Sequence, residues 1–433
     1  MLSARKTNRP RPLLCNAKYI AIAAAVNGII PLLRRPIASR TRRPVVRPPA
    51  GGKLVGMETM LQFGAGRFLR AFVDRFVQHG NDAGQNLGQV VVVQSTAGSR
   101  AELLGANPAG FHVVVRGYEN GDLVDRVEPV RSVGRALVAA QAWPQVLDVA
   151  RSRDLRLIVS NATEAGYVLD DADGAEPPHT TTPRTLPAKL THVLWARYQA
   201  GGEPLTLLPC ELIERNAAKL AELVRTQADR WRLPAEFRSW ASDRCLWLNN
   251  LVDCMVTPPP ADHPLTAQDP LFTSAEPYAL WAIEKPHGRA VNLRTNVFEH
   301  PAIKLVDDLL PFYLRKVRIL NGLHSAMVAK FLPAGFETVQ DVLRNAAAVR
   351  WVRALLFEEI VPTIADRVDD VAEFADETFD RLRNPFMRHK LADIALNHAA
   401  KVQVRLKPTH DEYVKLFGCS PPKLSEALAW QQR

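Results

Sequence analysis

Apolar and polar residues follow one another along the chain in a pattern that predicts an α/β part and then an all-helical part. Short, largely apolar runs occur at 60–63, 90–94, 155–160 and 205–213, and segments with helical spacing lie between and after them. Apolar runs of this length are typical of strands that are covered on both faces. The repeated order of strand and helix therefore predicts a doubly wound, Rossmann-like parallel sheet.

Further elements are predicted inside and beyond this α/β part. Strand-like runs flank Asn120-Gly121, a dipeptide typical of a tight hairpin, and the apolar spacing over 134–150 predicts a helix. Strand-like runs end at about residue 258, and 257–270 is rich in proline and turn-forming residues. We therefore predict an α/β nucleotide-binding domain over 57–258 and a helical substrate and catalytic domain over 259–433.

The positive charge of the chain is concentrated in its first fifty residues. The chain as a whole has a net charge of +10, and residues 1–50 contain eleven Lys or Arg and no Asp or Glu, so residues 51–433 carry a net charge of −1. A folded part so close to neutral does not have the basic surface that nucleic acid requires. The charge pattern therefore argues against a nucleic-acid-binding protein.

The basic segment 1–56 is predicted to be a disordered leader, or sequence upstream of a true start at Met57 or Met60. Its apolar stretch, 19–33, is interrupted by glycine and proline and is too short to cross a bilayer comfortably. Arg34-Arg35 stand where a signal peptide would have its small-residue cleavage site. A transit peptide stays open as an alternative, because the segment lacks acidic residues.

The cysteine and histidine patterns argue against disulfide bonds and metal sites. The five cysteines are scattered and form no C-x-x-C pair, which fits free thiols in a reducing compartment. No H-E-x-x-H motif occurs, and we predict no metal site. We expect a cytoplasmic protein whose partner is a small molecule, with no membrane or nucleic-acid partner; the oligomeric state stays open.

A glycine loop lies directly between the first predicted strand and the helix that follows. Glycines in Gly64-Ala65-Gly66 allow the backbone to approach a pyrophosphate, and the helix N-terminus offers free N–H groups and a positive dipole end. We predict that these three residues, with Arg67 and Phe68, bind a dinucleotide. A leucine replaces the third glycine of G-x-G-x-x-G, and a merely tight turn is the alternative.

The ends of two other strands supply further candidate cofactor ligands. An acid is expected after the second strand to hold the adenosine ribose, but Ser95 and Thr96 stand there. Their hydroxyls can do that work and Arg100 would tolerate a 2′-phosphate, so the choice between NAD and NADP stays open. Asn161 and Thr163 follow the strand that ends at 160, although both would also suit a polar loop that caps a helix.

The stretch KVRILNGLHSAMV, 316–328, reads mostly as a buried helix, yet it carries Lys316, Asn321 and His324, which can face one cavity. Lys316 is flanked by two arginines and should release its proton more readily through desolvation and like charge, as a general base must. Asn321 and His324 share a helix face and could donate to an oxygen on the reacting carbon. The alternative is a lysine that extends to solvent and a satisfied core histidine.

Seven stretches of the chain resemble, in order, the polyol-specific long-chain dehydrogenases, also called the mannitol dehydrogenase family. Lys316, Asn321 and His324 match the K-x-x-x-x-N-x-x-H motif of that family's catalytic helix. The family's G-E-G-N-F phosphate loop reads GAGRF here. The matching stretches are LQFGAGRFLRAFVD, VVVVQST, LRLIVSNATEAGY, LLPCELIERN, LVDCMVT, KVRILNGLHSAMV and RNPFMRHKLADIALN.

The resemblance implies an NAD-dependent, zinc-independent dehydrogenase of the hexuronate branch, with a neutral polyol or an inactive nucleotide-binding relative as alternatives. It implies that Lys316 takes the hydroxyl proton and that the other two motif residues polarise the reacting oxygen. Asn216 and Asp253 match family positions that touch the sugar chain. The carboxylate of such a substrate would bind to a cation, for which Arg388 and His389 are the candidates.

Overall fold

The computed structural model describes residues 56–162, 166–287 and 295–430. The predicted leader, apart from Gly56, and the predicted cofactor ligand Thr163 lie outside the described residues. The chain divides into two compact units, with the division between Phe312 and Tyr313.

The first unit contains the strands of the described chain. They are β1 (Glu58–Phe63), β2 (Gln89–Gln94), β3 (Phe111–Glu119), β4 (Asp122–Val130), β5 (Val133–Val138), β6 (Leu157–Ser160), β7 (Thr206–Pro209), β8 (Leu246–Trp247), β9 (Asn250–Asp253), β10 (Val256–Thr257), β11 (Thr273–Ala275), β12 (Leu280–Glu284) and β13 (Ile303–Val306).

Six of these strands form one parallel sheet in the spatial order β5-β2-β1-β6-β7-β8. Counted along the chain within the sheet, this is the order 3-2-1-4-5-6 of a Rossmann fold. The prediction of a doubly wound, Rossmann-like sheet is therefore confirmed. The strand order reverses between β1 and β6, and a crevice at that reversal is where α/β sheets bind ligands.

Burial on both faces of the sheet explains the continuous apolar runs in the sequence. Val91 and Val93 of β2 belong to one hydrophobic cluster, Val90 and Val92 belong to the other, and all four are fully buried. Each buried valine contributes about 1.5 kcal/mol or more to folding. Alternation of polar and apolar residues would have placed one face in water, so a central strand of this sheet cannot carry it.

The hairpin prediction is confirmed and the helix prediction at 134–150 is partly wrong. Strands β3 and β4 pair along their whole length across Asn120 and Gly121, whose φ values of 54° and 86° suit a type I′ turn. Residues 133–138 form the edge strand β5, and the helix begins only at Ala139. Apolar residues at 133 and 136–138 fit either period, and pairing with β2 selects the strand.

The prediction that strands end at about residue 258 is also wrong. Strands β11, β12 and β13 follow it; β11 pairs with β3, and β12 joins β9 to β13 in a small separate sheet. These strands are only three to five residues long and carry threonine, serine and glutamate, which weakened their signal. The division between the units accordingly falls after Phe312, later than the predicted boundary.

The helices flank the sheet in the first unit and make up the second. They are α1 (Arg67–Leu69), α2 (Arg75–Asp82), α3 (Arg100–Ala106), α4 (Ala139–Arg151), α5 (Leu186–Gln199), α6 (Asn216–Arg230), α7 (Ala235–Ser239), α8 (Leu265–Gln268), α9 (Leu310–Leu314), α10 (Gly322–Phe331), α11 (Val339–Arg344), α12 (Ala346–Ala354), α13 (Val371–Leu382), α14 (Leu391–Ala395), α15 (His398–Arg405), α16 (Lys407–Phe417) and α17 (Pro422–Ala429).

Wider π-helical turns interrupt several of these helices. They occur at Arg70–Asp74, Trp240–Arg244, Arg315–Asn321 and Leu355–Ile360. Helical turns of this kind are rare and occur frequently at functional sites. Two of them coincide with stretches that the sequence singled out, namely the helix after the glycine loop and the predicted catalytic helix.

Candidate active site

The glycine loop lies at the carboxyl end of β1, beside the point where the strand order reverses. Gly64 has a φ of +134°, and a Cβ there would meet the Asn161 carbonyl oxygen at 3.3 Å and a Leu69 methyl at 3.2 Å. Only glycine suits this backbone and this close approach. Gly66, in contrast, caps the following helix with a φ of −70°, and a Cβ at this position would have no neighbouring atom within 4 Å.

The loop has the features that a dinucleotide requires. Gly66 caps its helix without a side-chain hydrogen bond, so the first N–H groups of the helix remain available to an anion. The space beside Gly66 is open, and the exposed guanidinium of Arg67 lies at the same helix end. Phe68 stacks on Phe72 at 5.0 Å, which places its ring against the helix and not in the open space. The loop therefore fits a pyrophosphate, and the contact of Phe68 with a cofactor stays a prediction.

The end of β2 presents hydroxyls to the solvent. Ser95 and Thr96 are exposed, and their contact with a ribose stays a prediction. Gln94, which occupies the last strand position, turns its amide inward: it donates to the Thr96 carbonyl at 2.9 Å and accepts from the Ala101 N–H at 2.8 Å. This glutamine thereby shapes the turn into α3, where Arg100 is exposed.

A buried glutamate that the sequence did not single out joins the ends of β6 and β7. Glu211 is 3% exposed and accepts from the Ala162 N–H at 2.8 Å and from the Tyr167 hydroxyl at 3.0 Å. Burial raises the pKa of Glu211, although these hydrogen bonds act in the opposite direction. Asn161 donates to the Cys210 carbonyl at 2.8 Å. These bonds fix the described residues on either side of 163–165.

The predicted catalytic residues lie in the second unit, on a helix with a π-helical turn. Lys316 and Asn321 both belong to the π-helical stretch, and His324 belongs to α10, which follows without a break. In a π-helix the backbone hydrogen bond joins residues five apart, so the K-x-x-x-x-N spacing places both side chains on one side. Lys316 and Asn321 are half-buried, whereas His324 is 5% exposed.

The surroundings of His324 determine which ring nitrogen carries the proton. The Leu320 carbonyl hydrogen-bonds the ring, and Nε2 has no partner among the described residues, so Nδ1–H is the donor to Leu320. Burial lowers the pKa of His324 well below 6.5, and His389, Arg405 and Arg381 lower it further. A neutral ring with its proton on Nδ1 presents a lone pair at Nε2. In this tautomer the His324 Nε2 is an acceptor; the predicted role of His324 as a donor to the reacting oxygen stays a prediction.

One of the two predicted carboxylate-binding residues, His389, lies against this histidine, and two arginines act on it electrostatically. His389 packs edge-to-face on the His324 ring, with 4.9 Å between centroids, but Arg388 is exposed. Arg381 is 5% exposed, and Arg405 donates to the Ser325 hydroxyl at 3.4 Å. Sequence reasoning missed both arginines because a lone arginine on an amphipathic helix is usually a solvent-facing residue.

Asn216 and Asp253, predicted to touch the sugar, are both buried in the first unit. Asn216 donates to the carbonyls of Pro209, Glu211 and Asn250 and accepts from the Asn250 N–H, so its amide ties α6 to β7 and β9. Asp253 is 3% exposed at the end of β9. Their contact with substrate stays a prediction.

Membrane spans and metal clusters are both missing from the part of the chain that the structure describes. None of its helices has the length and apolar character needed to span a bilayer. None of its clusters of His, Cys, Asp and Glu brings together three or more side chains in a way that could hold a metal ion.

The first unit contains a Rossmann sheet with a glycine loop at its switch point. The second unit carries a lysine, an asparagine and a histidine on one helix. These features together define a nicotinamide-dependent dehydrogenase. Family models match the chain over both parts: the mannitol dehydrogenase Rossmann domain over residues 58–296 and the mannitol dehydrogenase C-terminal domain over residues 308–430. The chain belongs to the mannitol dehydrogenase family.

Curated relatives of the chain include altronate oxidoreductases. That of Bacillus subtilis (strain 168) is 35% identical over 384 residues, which cover 85% of this chain and 77% of the relative. That of Yersinia pestis is 35% identical over 383 residues, which cover 86% and 78%.

Solved structures of more distant proteins share the fold. Pseudomonas fluorescens mannitol 2-dehydrogenase, in a ternary complex with NAD and D-mannitol, has a TM-score of 0.71 at 22% identity and covers 88% of this chain and 80% of its own. Substrate-free D-sorbitol dehydrogenase has a TM-score of 0.70 at 21% identity, with coverages of 85% and 78%.

Proposed function

We propose that this protein interconverts altronate and tagaturonate with NAD(H). The observation that carries the proposal is the agreement between the Lys316, Asn321 and His324 helix and an identity of 35% to altronate oxidoreductases over most of the chain. The oxidation removes a hydride from a secondary alcohol carbon and a proton from its hydroxyl, leaving a ketone. The bound nicotinamide supplies the hydride acceptor.

The chain's own residues manage the proton and the oxygens. Lys316 takes the hydroxyl proton during oxidation and returns it during reduction, without a zinc ion. The Asn321 amide donates to the oxygen of the reacting carbon, where negative charge develops. His324, with its unprotonated Nε2, accepts a hydrogen bond from a neighbouring substrate hydroxyl and so helps to select a polyol chain. A hydroxyl donor is required at that nitrogen, because a buried acceptor left unpaired is costly.

The substrate carboxylate is recognised by the cations of the helical unit in this proposal. Arg388 and His389 were the candidates from the sequence, and Arg381 and Arg405 join them because they act electrostatically on His324. A guanidinium fits a carboxylate in a two-point contact.

NAD is the proposed cofactor. Ser95 and Thr96 are exposed at the end of β2, where hydroxyls can bond the ribose. Steady-state rates with NADH and NADPH, each at several concentrations, test this: a higher kcat/KM with NADPH would contradict it, and Arg100 would then be the first candidate for the 2′-phosphate contact.

Turnover with three substrates side by side tests the reaction. Purified protein should oxidise NADH faster with tagaturonate than with fructuronate or fructose. Faster turnover with either of the others would replace the proposed substrate by mannonate and fructuronate, or by mannitol and fructose, within the same family. If NADH binds and none of the three supports turnover, the protein is a nucleotide-binding relative without this activity.

Replacement of the proposed base tests the mechanism. Lys316→Ala should lower kcat by about two to four orders of magnitude, the usual contribution of a general base, with NADH binding unchanged. Lys330→Ala is a matched control, because Lys330 follows on the same helix at α10 and pairs with Glu426. Equal rates for Lys316→Ala and the control would exclude Lys316 as the base.

A further inference from the structure

A buried polar cluster lies directly beneath the glycine loop of the first unit. It consists of Gln62 in β1 and Arg70 and Asp74 in the π-helical turn after α1, and their side chains are 0%, 3% and 0% exposed. Burying an amide, a guanidinium and a carboxyl together is costly unless each has a specific partner. The partners of these groups therefore indicate what the cluster does.

Two of the three side chains donate to the loop itself. The Gln62 Nε2 donates to the Gly64 carbonyl at 3.2 Å, and the Arg70 Nη1 donates to the Ala65 carbonyl at 2.6 Å. Arg70 also donates to the Leu271 carbonyl at 3.3 Å, which anchors the guanidinium to the segment before β11. Both carbonyls are thereby drawn toward the protein interior.

Asp74 determines the orientation of the Gln62 amide. Its Oδ2 accepts from the same Gln62 Nε2 at 3.4 Å, so this nitrogen faces two acceptors and the amide cannot present its oxygen there. The main-chain carbonyl of Asp74 accepts from the Ser132 hydroxyl at 2.6 Å, which holds the π-helical turn in place. Arg70 acts electrostatically on this carboxyl, and Arg67, Arg100 and Asp269 act in turn on Arg70.

The geometry of the peptide unit links the direction of each loop carbonyl to the direction of the N–H that follows it. In a planar trans peptide the carbonyl and the following N–H point in opposite directions. Drawing the Gly64 carbonyl inward therefore turns the Ala65 N–H outward, and drawing the Ala65 carbonyl inward does the same to the Gly66 N–H. Gly66 has open space beside it. Successive N–H groups aimed into such a space form an anion-binding concavity.

We propose that Gln62 and Arg70, with Asp74 holding Gln62, are positioning residues that aim the Ala65 and Gly66 N–H groups at the cofactor pyrophosphate. The proposal rests on a dinucleotide as the cofactor. None of the three side chains touches the cofactor, since the loop backbone lies between them and the open space. They act on affinity for the pyrophosphate and not on the chemistry at the nicotinamide.

Affinity for ADP and AMP separates this role from a general structural one. ADP carries a pyrophosphate and AMP does not, so Gln62→Leu should raise the Kd for ADP and the KM for NADH about tenfold, the effect of one hydrogen bond. The Kd for AMP, and kcat at saturating NADH, should stay within about twofold of the wild type. Isothermal titration and steady-state kinetics give these values.

Gln78→Leu is the matched control. Gln78 is also a buried glutamine, donates to Asp82 at 2.8 Å and accepts from the Arg131 N–H at 2.8 Å, but it does not contact the loop. It should leave the ratio of the ADP and AMP affinities unchanged. Arg70→Lys, which keeps one donor, should bind ADP more tightly than Arg70→Met; if Arg70→Met does not fold, Gln62→Leu decides alone.

The outcomes distinguish this inference from the proposed function. If the wild type binds neither ADP nor NADH, the dinucleotide site and this inference both fail. If the wild type binds both and Gln62→Leu weakens ADP and AMP equally, or weakens neither, the inference alone is overturned. A selective loss for ADP in Gln62→Leu, absent from Gln78→Leu, would support it.

Discussion

At the scale of single residues, the two glycines of the loop serve different purposes. Gly64 is required by its own backbone, because its φ is +134° and a Cβ would press on Asn161 and Leu69. Gly66 has an ordinary φ of −70° and open space around it, so its lack of a side chain serves a ligand. The sequence pattern G-x-G cannot distinguish these two reasons.

Alanine at each position should separate stability from binding. Gly64→Ala should lower the free energy of unfolding by about 1–3 kcal/mol, the range for a strained backbone. Gly66→Ala should cost less than about 1 kcal/mol, yet weaken NADH binding about tenfold or more, because its methyl group occupies the space beside the helix N-terminus. Denaturant unfolding and NADH titration of both variants provide the check. Unchanged NADH affinity in Gly66→Ala would place the pyrophosphate elsewhere.

At the scale of elements, a chain of hydrogen bonds joins α2, β4 and the segment before β13. The Ala302 N–H donates to the His300 Nδ1 at 3.1 Å, so the His300 Nε2 carries the proton and donates to the His79 Nδ1 at 3.1 Å. The His79 Nε2–H then donates to Glu128 at 3.0 Å. The His300 ring is thereby held with its proton on Nε2, and Phe76 stacks on it at 4.0 Å. A second proton, on the His300 Nδ1, would place an N–H donor against the Ala302 N–H.

Acid should weaken this connection in a defined pH window. Burial lowers the pKa of His300 to about 4, and the neighbouring His79 and Arg75 lower it further, against the opposite effect of Glu128. Because the native state resists the proton and the unfolded chain accepts it near 6.5, stability should fall as the pH drops from about 6.5 to about 4.

Glu128 extends the loss of stability to lower pH. Burial alone would raise the pKa of Glu128, but the His79 hydrogen bond and the Arg75 charge outweigh it and bring the pKa to about 2.

Because His300→Phe removes the ring that resists protonation, thermal unfolding from pH 7 to pH 4 should show a smaller decrease in Tm for this variant than for the wild type. Parallel pH profiles for the two proteins would contradict the role of His300.

At the scale of the whole molecule, the sequence predicted the elements that periodicity reveals. It did not predict the features that depend on contacts between residues. Runs such as the valines of β2 identified the parallel sheet because burial on both faces leaves no alternative pattern. The short strands β11–β13 were not predicted because three to five residues are too few to show a period, and pairing with strands elsewhere in the chain, such as β11 with β3 and β12 with β9, places them in a sheet. The polar residues of the predicted catalytic helix identified it in the sequence, but its π-helical turn was not predicted, since no residue type marks that geometry.

The candidate site shows the same division. Gly64, Gly66 and the Lys316 helix could be selected because their residue types are unusual where they stand. Glu211, Gln62 and Asp74 could not, because a polar residue at the end of a strand or inside a helix is ordinary until its partners are known. Burial is what distinguishes them: it raises the pKa of Asp74 to about 7, against the hydrogen bond from Gln62 and the charge of Arg70.

Because the proposed pyrophosphate site and the proposed catalytic base belong to different units, ligand-induced stabilisation should separate cofactor binding from chemistry. A ligand that binds only the native state stabilises it by about 2.7 kcal/mol at a hundredfold excess over its Kd. NADH at one fixed concentration, a hundredfold above its Kd for the wild type, should raise the Tm of the wild type and of Lys316→Ala equally. It should raise the Tm of Gly66→Ala and Gln62→Leu by less, because at the same concentration their sites are less occupied. A Lys316→Ala protein that NADH fails to stabilise would mean that Lys316 supports the cofactor itself, and the loss of activity in that variant could then no longer be attributed to a missing base.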